Sequence, residues 1–346
     1  MDLPNPRLRM IARYRVGVTD YVKPPFELER EELGSEFEIV PITIGPSGEV
    51  PTKQLASLDA LLVWHTSITQ KWAKALVNAK IVVRYGVGYD NVDVEALEQQ
   101  KIVFCNTPDY GVEEVADTSV AMILSLHRRI FEYNADCRQL HSRWQHQTRS
   151  PLLRASSTTI GIIGVGRIGS SVIRRLSPFG YKLIGYDPYQ PAGHEKAVGY
   201  YRVEHLDDVI ERSDIITLHC PLTAETKGMV DERFLSKVKR NVVLVNTARG
   251  QLVANLDLIY AALSEGRLHS VGFDVLPEEP PLEGKLINAW LTQNGPLEGR
   301  IILNPHAAYF SDQAWIEMRT KAARTIRRYL VDEVTVNRIR PGGAMS

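Results

Sequence analysis

A chain of 346 residues exceeds the usual range of a single domain and favours two, and 44% hydrophobic content supports a buried core in each. The 41 Lys and Arg balance 41 Asp and Glu, so no whole-chain field steers the protein to nucleic acid or holds it at an anionic membrane. Three separated cysteines, Cys105, Cys137 and Cys220, form no CxxC pair, which argues against a disulfide framework or structural zinc and fits a reducing compartment.

Residues 1–10 are broken by prolines and lack the apolar stretch of a secretion signal. No later segment approaches the roughly 18 apolar residues of a membrane span, so the expectation is a cytoplasmic protein. Strands are predicted at 15–19, 37–40, 58–63, 80–84 and 101–105, with helices between them, as a small α/β unit. Residues 112–129 place Val115, Val120, Ile123, Leu124 and Leu126 over several helical turns without proline or glycine, which predicts a long helix crossing between domains. A polar connector follows at 151–157.

Beyond the connector, strands predicted at 159–163, 182–186, 214–218, 241–246, 269–274 and 300–303 alternate with helices. Such alternation specifies a mainly parallel, doubly wound sheet covered on both faces. A last helix is predicted over 312–330, packing back against the first domain, and 338–346 carries the proline and glycine of a fraying tail.

The segment Thr159-Ile-Gly-Ile-Ile-Gly164-Val-Gly166-Arg-Ile-Gly169 sets GxGxxG after an apolar strand and at the opening of a helix. Gly164 permits the tight turn, Gly166 lets backbone N–H groups approach a pyrophosphate, and Gly169 lets the helix pack on the strand. The helix N-terminus adds positive potential. The next strand ends at Asp187, about 20 residues beyond the loop, where an acid accepts hydrogen bonds from the ribose 2′-OH and repels a 2′-phosphate. The expected cofactor is therefore NAD, as NAD+ or NADH, and not NADP.

Three further segments lie at predicted strand ends, where an open α/β sheet binds ligands: Val245-Asn-Thr-Ala-Arg249-Gly, Phe273-Asp274-Val-Leu-Pro-Glu278-Glu279-Pro, and Leu303-Asn-Pro-His306-Ala-Ala. The guanidinium of Arg249 can grip a substrate carboxylate in bidentate fashion while polarising a keto oxygen. His306 can pass a proton to or from that oxygen, and a carboxylate on its other ring nitrogen, with Glu279 the candidate, would hold its tautomer. Each residue alone has an ordinary structural explanation. Their joint occurrence behind a dinucleotide loop points to hydride transfer at C2 of a small 2-hydroxy or 2-keto acid.

At these residues the chain resembles the D-isomer-specific 2-hydroxyacid dehydrogenase family, through Tyr85-Gly-Val-Gly-Tyr-Asp-Asn-Val-Asp, Val115-Ala-Asp-Thr118, the glycine loop, Leu218-His-Cys-Pro-Leu, Asn246-Thr-Ala-Arg249-Gly, Asp274-Val-Leu-Pro-Glu-Glu279-Pro and Pro305-His306. The resemblance implies Arg249, Glu279 and His306 as the catalytic set, with Glu278 a bystander. It implies backbone amides at Val87 and Gly88 holding the substrate carboxylate, with Arg249 and His306 also contacting substrate. It implies that Thr118, Arg167, Ile168 and Asp274 lie against the cofactor; Pro221, Thr247, Ala248, Arg249 and His306 are expected beside it as well, while His219, which follows a strand, either lies near the cofactor or, more often for such a residue, serves structure, and Cys220 reads as packing near the adenine or ribose. It further implies two Rossmann-like or flavodoxin-like domains, with an NAD-binding domain (115–306) inserted into a discontinuous substrate domain (1–114 and 307–346). Homodimers are the family habit.

The finer likeness is to the C-terminal-binding-protein branch, in Tyr186-Asp-Pro-Tyr and Pro305-His-Ala-Ala-Tyr-Phe-Ser-Asp-Gln-Ala. That branch motivates the alternative of an NADH-sensing, corepressor-like scaffold with little turnover. Tyr309 stands where those proteins carry tryptophan, and their long tail is missing. Phosphoglycerate dehydrogenases usually place an arginine in the loop after the third strand, whereas this chain reads Val63-Trp64-His65-Thr66, so an unphosphorylated substrate is expected; Trp64 either walls the pocket or, more often for a tryptophan at a strand end, serves packing. His141 and His146, five apart, have the wrong spacing for two ligands on one helical face, and no metal is expected.

Overall fold

The structure, a computed structural model, describes residues 13–20, 22–44, 49–138, 149, 151–292 and 295–342. His141 and His146 lie outside the described residues, as do residues 1–12 and the end of the tail. The chain divides into two compact units, one built from Met1–Gly111 and Ser311–Ser346, the other from Val112–Phe310.

In the first unit, strands β1 (Tyr14–Val18), β2 (Phe37–Pro41), β3 (Ala60–Val63), β4 (Ile81–Arg84) and β5 (Val103–Cys105) form a parallel sheet in the order β2-β1-β3-β4-β5. Three strands, β3, β4 and β5, are shorter than predicted, β4 by one residue. Leu58 donates its N–H to Leu55 within a turn, which delays β3 to Ala60, and Lys101 sits in the left-handed region at φ 59°, which delays β5 to Val103. The helix Asp312–Leu330 belongs to this unit. Its Arg319 pairs with the fully buried carboxylate of Glu29, which also accepts the Tyr85 hydroxyl at 2.9 Å.

The second unit carries β6 (Thr159–Ile163), β7 (Lys182–Tyr186), β8 (Tyr201–Arg202), β9 (Ile215–Leu218), β10 (Val242–Asn246), β11 (Leu268–Phe273) and β12 (Ile301–Leu303). All seven are parallel, in the order β12-β11-β10-β9-β6-β7-β8, so the strand order reverses between β6 and β9. Alternation divides β10 between two cores. Val243 and Val245 join Ile160, Ile162 and helix residues Met122 and Ile123 on one face, while Val242 and Leu244 join Leu218 and Val271 on the other. The two-residue β8 has no periodicity for sequence reasoning to detect. The helix predicted over 112–129 ends at His127, because Arg129 adopts φ 54°; a separate helix, Ile130–Cys137, follows. Residues 155–157 of the expected connector form a single 3-10 turn.

Candidate active site

The parallel sheet of the second unit brings its chemistry to one rim, the C-terminal strand ends. The glycine loop follows β6, Asp187 follows β7, His219 follows β9, Arg249 follows β10, Asp274 follows β11 and His306 follows β12.

Gly164 has φ 89°, and a Cβ there would lie 2.5 Å from the backbone N of Cys220. Gly169 is equally constrained, because its Cβ would meet the Gly164 carbonyl oxygen at 2.1 Å. Gly166 differs: no protein atom lies within 4 Å of a Cβ built there, and its φ of −74° suits any residue. The fold itself thus does not require glycine at 166, and the open space above it fits a pyrophosphate. The helix Arg167–Leu176 begins immediately afterwards, with Arg167 and Ile168 in its first turn. Asp187 is tied to this loop: its Oδ2 accepts the Val165 N–H at 2.8 Å and its Oδ1 the Tyr189 N–H at 3.0 Å. These residues fit a dinucleotide.

His306 Nδ1 and Glu279 Oε2 are 2.7 Å apart, and Glu279 Oε1 accepts the Leu276 N–H at 2.9 Å. Glu279 therefore acts as acceptor on both oxygens, which assigns the imidazole proton to Nδ1 and leaves Nε2 without a partner among the described residues. Burial pushes the Glu279 carboxyl up, but the His306 hydrogen bond and charge, the Leu276 amide and the charge of Arg249 outweigh it and hold the group below its usual value. His306 itself has φ 55°, a left-handed conformation uncommon for a residue with a side chain. Its N–H donates to the Asp274 carbonyl at 2.8 Å, and the Asp274 carboxylate accepts the N–H groups of Ala307 and Ala308, both at 3.0 Å. Burial raises the Asp274 carboxyl, opposed by those two amides.

Arg249 leaves β10 through a turn built by fully buried Asn246, whose Oδ1 accepts the Ala248 N–H at 3.0 Å and whose Nδ2 donates to the Arg249 carbonyl at 2.8 Å. The Arg249 guanidinium donates to the Ala248 carbonyl at 2.7 Å. Thr247 is buried, its hydroxyl 2.8 Å from that of Ser119 on the helix Val112–His127; Thr118 beside it donates to the Ala308 carbonyl at 3.4 Å. Sequence reasoning missed the roles of Asn246 and Ser119. An asparagine at a strand end before a turn is a recognisable Asx signal, whereas the Ser119 contact spans 128 residues and has none.

His219 and Cys220 turn inward. The thiol of Cys220 lies 3.8 Å from the Met229 sulfur, and burial pushes its pKa up to about 12. Pro221 beside it is exposed. His219 Nε2 lies 2.9 Å from the Thr217 hydroxyl, its Nδ1 is buried without a hydrogen-bond partner among the described residues, and burial holds its pKa down to about 3. The unfolded chain then takes up a proton as pH falls below about 6.5 while the folded state does not, until about pH 3. Urea unfolding should accordingly show stability falling between pH 7.5 and 5, by up to about 1.4 kcal/mol per pH unit from this group. His219→Gln should flatten that slope; an unchanged slope rejects the assignment.

The remaining expected substrate residues belong to the first unit. Trp64, after β3, is buried, its ring 5.0 Å from that of Trp315 and 4.7 Å from His65. Asp20 Oδ2 accepts the N–H groups of Trp64 and His65, and Asn91 Nδ2 donates to the Trp64 and Thr66 carbonyls at 2.9 and 3.0 Å. Val87 and Gly88 follow β4, where Asn106 Nδ2 donates to the Val87 carbonyl at 2.7 Å. Asp20, Asn91 and Asn106 thus shape these loops, with no sequence signal that separates them from surface polar residues.

A doubly wound sheet with a glycine loop at its strand-order reversal and an acid at the end of the next strand has the form of a dinucleotide-binding unit of dehydrogenase type. Residues 120–308 match the family model described as D-isomer specific 2-hydroxyacid dehydrogenase, NAD binding domain. A D-3-phosphoglycerate dehydrogenase of Methanocaldococcus jannaschii is 31% identical over 93% of the chain, which spans 59% of that relative's length. A glyoxylate reductase of Korarchaeum cryptofilum is 32% identical, covering 95% of the chain and 98% of the relative. Among solved structures, a D-lactate dehydrogenase from Aquifex aeolicus, complexed with NAD and lactic acid, superposes with a TM-score of 0.79 at 26% identity, covering 92% of this chain and 96% of that one. The chain belongs to the D-isomer-specific 2-hydroxyacid dehydrogenases, NAD-dependent oxidoreductases that act at C2 of 2-hydroxy and 2-keto acids.

Proposed function

We propose that the protein reduces a small, unphosphorylated 2-keto acid to the D-2-hydroxy acid, with Arg249, Glu279 and His306 as the catalytic set. The observation that carries this reading is the 2.7 Å bond between His306 and Glu279 within the field of Arg249. Arg249 binds the substrate carboxylate and polarises the keto oxygen. Bound NADH supplies a hydride for C2. His306 delivers the proton from Nε2 to the oxygen, and Glu279 holds the ring through Nδ1. Trp64 in the loop after β3, where an arginine would serve a phosphate, supports an uncharged side group on the substrate. Three free thiols and, among the described residues, no helix long and apolar enough to cross a membrane support a cytoplasmic setting. Homodimerisation is part of the reading on family likeness.

A screen of NADH oxidation across 2-keto acids, from glyoxylate and pyruvate to branched and aromatic members, tests the proposal. Turnover is expected on unphosphorylated members. Tight NADH binding with negligible turnover on every acid would reverse the conclusion in favour of the corepressor-like scaffold, which the names of the relatives do not support.

A further inference from the structure

The strand order β9-β6-β7 sets β6, with its glycine loop, between the loops that follow β7 and β9. One side-chain bond joins those two flanking loops: the Tyr189 hydroxyl donates to Glu225 Oε2 at 2.5 Å. Tyr189 in turn donates its N–H to Asp187 Oδ1, so Glu225, Tyr189 and Asp187 form one chain of contacts across the C-terminal end of β6. The loop that carries Glu225 is braced from within, since the Thr226 hydroxyl donates to the Pro221 carbonyl at 2.6 Å and accepts the Thr223 N–H at 2.9 Å.

Stability does not explain this bond. Tyr189 is 78% exposed and Glu225 is on the surface, where such pairs contribute little. The arrangement does bring a second carboxylate, Glu225, into the same chain of contacts as Asp187. The hydrogen bond and charge of Glu225, with Asp187 adding to them, raise the Tyr189 hydroxyl, and burial followed by the charges of Glu225 and Asp187 raises that of Tyr186. Arg202, a cation near this loop, is engaged by the Gln190 carbonyl at 3.0 Å and by Glu204 at 3.4 Å.

We infer that Glu225, held by Tyr189 across the adenosine end of the cofactor site, is a second determinant of NAD over NADP and acts together with Asp187. The inference rests on the NAD-binding reading of this rim. A 2′-phosphate carries about −1.5 to −2 charges at neutral pH, so a carboxylate across the site repels it even when Asp187 is neutralised. Asp187 alone then does not define the preference.

Nucleotide affinity, read by calorimetry with NADH and NADPH in the absence of substrate, tests this. Glu225→Gln should tighten NADPH relative to NADH by roughly three- to tenfold, with NADH changed less than about twofold, and the gain should shrink as salt is raised from 0.05 to about 0.5 M. Glu225→Asp should retain the discrimination. Asp187→Ser with Glu225→Gln should exceed Asp187→Ser alone in relative NADPH affinity. An unchanged NADPH to NADH ratio in Glu225→Gln, beside a shifted ratio in Asp187→Ser, overturns the inference and leaves the NAD reading intact. Failure of the parent protein to bind either nucleotide overturns both.

Discussion

His306→Gln lowers turnover on a 2-keto acid by at least about 10²-fold and leaves NADH affinity near that of the parent protein. Glutamine has no group that gives up a proton near neutral pH, so the oxygen that gains negative charge at C2 must take its proton from water. Because His306 sits at φ 55°, part of any loss could arise from backbone strain. His306→Asn separates the two effects, since asparagine tolerates the left-handed region better yet transfers no proton. Equal losses in both variants assign the defect to chemistry. Steady-state rates with NADH binding measured in parallel decide it, and unaltered turnover in either variant removes His306 from the mechanism. Glu279→Gln should show a smaller loss, because it weakens the hold on the His306 ring without removing the ring.

Gly250→Ala has the second large expected effect, on rate and stability together. A Cβ on Gly250 would lie 1.9 Å from both the carbonyl carbon and the oxygen of Leu276 and 2.5 Å from the Pro277 nitrogen. All three are backbone atoms, so the loops must part. One loop carries Arg249, the residue before Gly250; the other carries Glu279, whose Oε1 binds the Leu276 amide. The Gln251 side chain ties the same loops by donating to the Pro277 carbonyl at 3.1 Å. Displacement of about an ångström at catalytic groups costs on the order of 10²-fold, and overpacking a close contact costs about 1–3 kcal/mol. Steady-state kcat/KM and urea unfolding read the two effects. A variant that keeps parental values of both would show that the close approach is relieved at no cost and that the two loops are not coupled.

The predicted strands 159–163 and 182–186 coincide with β6 and β7, and the helix 312–330 agrees at both ends, because period and punctuation in these segments agree with burial. Disagreement falls where a short-range backbone choice intervenes. Lys101 and Arg129 each take positive φ, ending or delaying an element whose side chains would have allowed it to continue. Nothing in the side-chain pattern announces such a choice at a lysine or an arginine.

The order of residues along the chain was enough to specify a doubly wound dinucleotide-binding unit, an acid at Asp187 after its second strand, and Arg249, Glu279 and His306 in the loops after later strands. Those features depend on local periodicity and on the geometry of turns, which neighbouring residues control. Tertiary structure alone decided which oxygen of Glu279 meets His306, how Gly250 presses the Arg249 loop onto Leu276, and how Glu225 reaches Tyr189 across β6. These contacts join segments 26 to 36 residues apart, and their distances depend on how the strands pair and how their loops bend, quantities set by the packing of the whole sheet.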